Sequence, residues 1–358
     1  MTGPEGGAIG PGATRDLSRV AYDPEFRPGA RTAVVTCLGV RPGESAVLIT
    51  DKEGLPIGAA LNEALVAAGA QVAAFVLEDL APRPLTEFPG AIASAMRRAT
   101  VSCFAASAQP GELKARIAMT AIVNQHRLRH AHMVNITPRI MLEGMRADFS
   151  RVDALSRWVL ERARQARSLT ASTPAGTRLR ATFAPHLRWL KTSGIITAEK
   201  WSNLPGGEVF TAPERVDGVF VVDGVLGDWL APKYGDLSDH PLTVEIEDSR
   251  LKSARCRREE IARDFLSYTA ADPNGGRVGE LALGTNLAVR DVIGQILQDE
   301  KIPGLHLAFG HPYSEHTGAD WSATTHIDIV GRRFDVAFDG VPIMKDSRFL
   351  VDDDSLLG

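Results

Sequence analysis

Carboxylates and imidazoles collect in apolar, strand-like stretches of about the last eighty residues: Glu280 in GELALG, Asp299-Glu300, His306 in HLAFG, and His326-Ile327-Asp328. An unpaired buried charge is costly, so a core rarely spends this many Glu, Asp and His residues in such segments. A bound divalent metal removes that cost. The donors on offer are oxygen and imidazole rather than thiolate, a set that suits Zn, Mn, Co and Fe alike.

The pair His326-x-Asp328 is the most explicit pattern. Alternation along a strand puts both side chains on one face, roughly 6.5–7 Å apart. Its bland alternative is a hydrogen-bonded His–Asp pair. His306 alone reads as a satisfied core histidine, Glu300 as a helix-end surface carboxylate, and Glu280 and Glu208 as strand-end carboxylates beside turns. Taken together these bland readings lose ground to a shared metal. His311 and His316, in the loop HPYSEHTGADWS, either line a substrate pocket or are ordinary polar loop residues. His126 and His130 have the i, i+4 spacing of a helical metal pair without the Glu of HExxH, which favours a surface helix end.

Composition narrows the field. A formal net charge of −4 removes the basic footprint of a nucleic-acid binder. No apolar run is long enough to span a bilayer, and the N-terminus lacks a charged-then-apolar signal pattern. Cys37, Cys103 and Cys256 are odd in number and widely spaced, against both a disulfide framework and a thiolate zinc site. These features fit a cytoplasmic protein with no membrane partner. The turn DKEGLPIG lacks G-x-G-x-x-G, and neither a P-loop nor G-x-S-x-G occurs.

The elements that position these residues fall into two blocks, as 358 residues suggest. Residues 1–30, rich in Gly and Pro, read as a flexible arm. Residues 31–167 read as an open, Rossmann-like α/β domain. Its expected strands are 46–50, 71–77, 100–105 and 132–136, and its expected helices 57–68, 91–99, 113–127, 139–145 and 151–167. Residues 168–358 read as a mostly β, metal-binding catalytic domain with a few helices, one over 286–297. The fold class is thus α/β followed by α+β.

With these segments assembled, the chain resembles the thermophilic metallo-aminopeptidase family, the aminopeptidase T and leucyl aminopeptidase group. The matching stretches are NLPGGEVFTAP, VGELALG, DEKIPGLHLAFGHPY, THIDIVG and the closing DVAFDGVPIMKD, within roughly 200–346. The resemblance implies a hydrolase using one or two divalent metals, with Glu208, Glu280, Glu300, His306, His326 and Asp328 as ligands. It also implies Glu280 near the attacking water, Tyr313 as a donor to the reacting carbonyl, a small-molecule or short-peptide substrate and a homo-oligomer. Where the family carries two adjacent acidic residues, this chain has Gly207-Glu208, and the Glu300–His306 spacing differs by a residue. The same superfamily includes 2,5-dihydroxypyridine 5,6-dioxygenase, a mononuclear non-haem iron enzyme. Ring cleavage of N-heteroaromatics is therefore the alternative expectation.

Overall fold

The computed structural model describes residues 14–352. Residues 1–13 of the expected arm lie outside the described residues. Residues 14–30 correct the expectation, because two apolar side chains tie them down. Leu17 and Phe26 are buried, Arg15 pairs with Asp79, and the chain runs into a short helix, Arg27–Arg31.

The first unit contains residues up to Ala147 and also Gly194–Pro205. In chain order it has β1 (Ser45–Thr50), α1 (Leu55–Ala67), β2 (Gln71–Val76), α2 (Gly90–Met96), β3 (Val101–Ala105), α3 (Leu113–His126) and β4 (Arg129–His132). The strands pair in parallel in the order β2-β1-β3-β4. Helical crossovers between parallel strands are what the strand–helix–strand reading predicts. The last strand starts three residues before the expected 132–136. Arg127 takes a left-handed conformation (φ 54°) directly after α3, so the chain turns early. Residues 133–136 are instead a turn, with Asn135 at φ 57°. His130 therefore lies on a buried strand and not at a helix end.

The chain then enters the second unit with α4 (Phe149–Gln165), which Asp148 caps through the amides of Ser150 and Arg151. The division thus falls at Ala147/Asp148 and not at 167/168. The apolar stripe of α4 explains the shift, since Leu155, Val159 and Ala163 belong to the core of the second unit's sheets. Next come β5 (Ser168–Ser172), β6 (Arg178–Thr182) and β7 (Leu190–Thr192). A return to the first unit adds β8 (Ser202–Asn203) alongside β4.

The remainder belongs to the second unit: β9 (Glu208–Thr211), β10 (Arg215–Val222), β11 (Leu242–Glu247), β12 (Arg250–Cys256), α5 (Glu259–Thr269), β13 (Val278–Gly284), β14 (Gly304–Gly310), β15 (His326–Val330), β16 (Asp335–Phe338), β17 (Val341–Lys345) and β18 (Arg348–Phe349). Two antiparallel sheets result, ordered β12-β11-β10-β6-β5-β16-β17-β18 and β15-β14-β13-β9-β7. The helix expected over 286–297 is absent; only a single turn, Ile296–Asp299, is helical. Side chains take over its backbone hydrogen bonds. Asp299 accepts from the amides of Ile293 and Gln295, Asn286 accepts from that of Ala288, and Gly294 sits at φ 77°.

Candidate metal centre

The smaller antiparallel sheet sorts its residues cleanly onto two faces. Residues directly opposite in an antiparallel ladder share a face, as do residues two apart on one strand. Glu208 pairs with Gly284, Ala282 with His306, Glu280 with Ala308, and Ala308 with Asp328. His326 pairs with Gly310, and Thr192 of β7 with Glu208. Every strand-borne candidate ligand therefore points to one side, interleaved with Ala282, Gly284, Ala308 and Gly310. The opposite side carries Val209, Leu281, Leu283, Leu305, Leu307, Phe309, Ile327 and Ile329, all in the apolar core. The one-face expectation for His326 and Asp328 is what the register displays.

The functional atoms converge without touching. His306 Nε2 is 3.7 Å from both Glu208 Oε2 and Glu280 Oε1. His326 Nε2 is 3.5 Å from Asp328 Oδ1 and 3.9 Å from Glu280 Oε2. Ligand atoms of Glu208, Glu280 and His306 lie within 4.8 Å of one another, and so do those of Glu300, His306 and Asp328.

His306 Nε2 is buried and has no hydrogen-bond partner. Nitrogen and oxygen donors sit about 2.0–2.2 Å from a divalent ion, which places two tetrahedral donors roughly 3.4 Å apart. The observed gaps are too long for hydrogen bonds and suit an ion between the donors. His326 is oriented for the same job. Its Nδ1 lies 3.0 Å from the His311 carbonyl, which can only accept, so Nδ1 carries the proton and Nε2 presents its lone pair. The residues fit a divalent ion.

Electrostatics agree. Burial pushes the Glu280 carboxyl up, with Glu208 and Asp328 adding to the rise against the nearby imidazoles of His306 and His326. Burial likewise raises Glu300 to about 8, despite Lys301. Burial would lower His326, but the negative charges of Asp328 and Glu280 raise it to about 10. His306 is raised in the same way, by Glu280, Glu208 and Asp328 against burial. For Glu208 and Asp328 burial is outweighed the other way: Lys301 and His306 lower the first, and His326 lowers the second. A cluster this negative holds protons on its imidazoles, and a divalent ion would displace them.

Two neighbours escaped the sequence reading. Lys301 is 1% exposed at its side chain, and its Nζ lies 2.8 Å from Glu208 Oε1 and 2.5 Å from Glu300 Oε1. In DEKIPG it reads as an ordinary helix-end cation; only the burial of its neighbours in β14 could have hinted otherwise. Thr192 Oγ1 donates to Glu208 Oε1 at 2.7 Å, a contact between residues sixteen apart that no local pattern marks.

Tyr313, which the resemblance made a donor to the substrate, comes back to the cluster. It adopts φ 50°, and its ring centroid is 5.1 Å from that of His326 and 6.1 Å from that of Phe210. Burial, with the charges of Glu280, Asp328, Glu300 and Glu208, holds its phenol well above the usual range. His311 accepts the Tyr313 amide at Nδ1 (3.0 Å) while its carbonyl orients His326, so it braces the loop. His316 is exposed beside Glu315 and is not brought to the cluster.

Residues 154–328 match the model of the thermophilic metalloprotease family (M29). The chain resembles that family, as its motifs indicate. A search of the curated proteins finds no match. Among solved structures, 2,5-dihydroxypyridine dioxygenase from Pseudomonas putida is similar at 17% identity and a TM-score of 0.67, covering 92% of this chain and 98% of that one. AmpT from Thermus thermophilus is similar at 19% identity and a TM-score of 0.64, covering 92% and 100%. At these identities the likeness is one of fold.

Gly207, where the family carries a second acidic residue, has a structural reason. Its φ is +126°, and a Cβ there would lie 2.8 Å from Cβ of Asn286. The Asn286 amide also bonds the Gly206 carbonyl. An acidic side chain at 207 has neither the backbone nor the space.

Proposed function

We propose that this chain is a metal-dependent hydrolase of the aminopeptidase type, acting on a small amide, peptide or amine-bearing substrate. The observation that carries the reading is the partnerless His306 Nε2 among Glu208, Glu280 and Asp328, on the same sheet face as His326. Those residues, with Glu300, would hold the ion. A divalent ion there supplies Lewis-acid polarisation of a carbonyl oxygen and makes water a stronger acid.

The protein's own groups do the rest. Glu280, with its raised pKa and its oxygens facing both imidazoles, is suited to take a proton from the attacking water and pass it to the leaving amine. The Tyr313 hydroxyl stays protonated at working pH and donates where negative charge develops on the carbonyl oxygen. His311 holds the His326 ring through its carbonyl.

A second reading is ring cleavage by a mononuclear iron dioxygenase. It is favoured by one feature: His306, His326 and Asp328 make a two-histidine, one-carboxylate set on a single face. One experiment separates the two. Metal-stripped protein is loaded with Zn, Mn, Co or, anaerobically, Fe(II), then assayed on leucine p-nitroanilide and on 2,5-dihydroxypyridine with oxygen uptake recorded. Amide cleavage without oxygen uptake is expected. Oxygen consumption with ring opening and no amide cleavage would replace the hydrolase reading with the second.

A further inference from the structure

Lys301 is the most unusual residue of the cluster, a fully buried lysine bonded to two of the carboxylates that the ion would need. A buried ammonium is retained only where paired charges and hydrogen bonds compensate for lost water. Here Glu208 and Glu300 both do so, each accepting from the Lys301 ammonium.

Its contacts also decide which oxygens remain free. Glu208 Oε1 is taken by Lys301 Nζ and Thr192 Oγ1, leaving Oε2 turned to His306. Glu300 Oε1 is taken by the same ammonium. A two-ion clamp with its metals roughly 3.5–4 Å apart is held by shared ligands, and here Lys301 occupies an oxygen on each of two carboxylates. Both candidate ligand groups, moreover, draw on His306, whose Nε2 is the buried atom without a partner. An imidazole nitrogen has one lone pair and serves one ion.

We infer that the Lys301 ammonium is the resident cation of this carboxylate cluster and stands in place of a second metal, so that the centre takes one divalent ion per chain, at His306 Nε2. The inference rests on reading the cluster as a metal centre. It departs from the two-ion arrangement that the family resemblance allows. Lys301 acts here as a positioning residue: it orients Glu208 and Glu300 and neutralises one of the four acidic side chains, Glu208, Glu280, Glu300 and Asp328.

The test counts ions. Full-length wild type, Lys301→Met and Lys301→Gln are stripped with a chelator, loaded with excess Mn(II), freed of unbound metal by gel filtration and analysed by elemental mass spectrometry. Circular dichroism checks folding. The expected result is one ion per chain in the wild type, with the signal of an isolated Mn(II) in electron paramagnetic resonance, and two in a folded Lys301 variant. Two spin-coupled ions in the wild type would overturn the inference while leaving the hydrolase reading intact. A folded Lys301→Met or Lys301→Gln that still binds one ion would remove the lysine's role. No uptake by any of the three proteins would remove the inference and the metal reading together. If neither variant folds, the wild-type count alone decides for or against a single ion.

Discussion

Acid should destabilise the first unit through its buried histidines, and His132 allows the size to be worked out. His130 and His132 lie on β4, His130 bonded to Ser102 (2.8 Å) and to His132 (3.2 Å), with His132 stacked on Phe104. Since Ser102 can donate to His130 Nδ1, one consistent chain has His130 Nε2–H donating to His132 Nδ1, both rings neutral. Burial, aided by the charge of Arg116, lowers His132 to about 4, and burial with His132 lowers His130 well below 6.5. Both depressed values have the same sign. The neutral rings favour the folded state above pH 6.5, and this contribution is lost as pH falls toward the folded pKa, because the unfolded chain takes up protons first.

For His132 the limiting loss is about 3.4 kcal/mol, of which about 1.4 kcal/mol is gone by pH 5.5 and about 2.5 kcal/mol by pH 4.5. Urea unfolding at pH 7.5, 6.5, 5.5 and 4.5, followed by tryptophan fluorescence, measures it; Trp201 lies 5.6 Å from the His132 ring and is a local reporter. The wild type should lose stability over this range more steeply than His132→Gln, which keeps an acceptor but has no proton to gain. Parallel curves for the two proteins, or a His132 resonance titrating near 6.5, would refute the reasoning.

Three further outcomes concern the second unit. His326→Ala should cut metal retained after gel filtration at least tenfold, because the ion loses one of few inner donors; full occupancy by elemental analysis contradicts the assignment. Tyr313→Phe should lower kcat by roughly 10²–10³ with KM little changed, and a wild-type kcat on a verified substrate would make the ring a packing wall instead. Gly207→Ala should cost about 1–3 kcal/mol, since φ +126° is a glycine conformation and Asn286 blocks the added methyl; an unchanged urea midpoint argues against that backbone.

Much of the centre was legible because strand alternation is a local rule. His326-x-Asp328 needs only the period of two to share a face, and Glu280 and His306 lie within fully buried runs, VGELALG and GLHLAFG. The parallel sheet was legible from apolar runs separated by helical spacing. Part of what the sequence hid depends on partners distant along the chain, and part on local side-chain and backbone choices that apolar spacing does not display. Lys301 becomes a core residue only because Glu208, more than ninety positions away, accepts from it. The helix expected over 286–297 yields to the Asp299 carboxylate, and α4 changes unit because its stripe finds a core in strands not yet reached. His130 misled because the left-handed Arg127 ends the helix one turn too soon for an i, i+4 pair.

The strict two-sidedness of β13, β14 and β15 couples the reactive surface to the foundation beneath it. A shift of one residue in any of these strands exchanges its faces. In β14 it would turn Leu305 and Leu307 into the site and drive His306 into the apolar layer. Single-residue insertions and deletions here therefore destroy activity and folding in one event. Substitutions keep the frame: at Ala282 or Ala308 a larger side chain on the ligand-bearing face would make the floor of the site shallower without altering the strand's register.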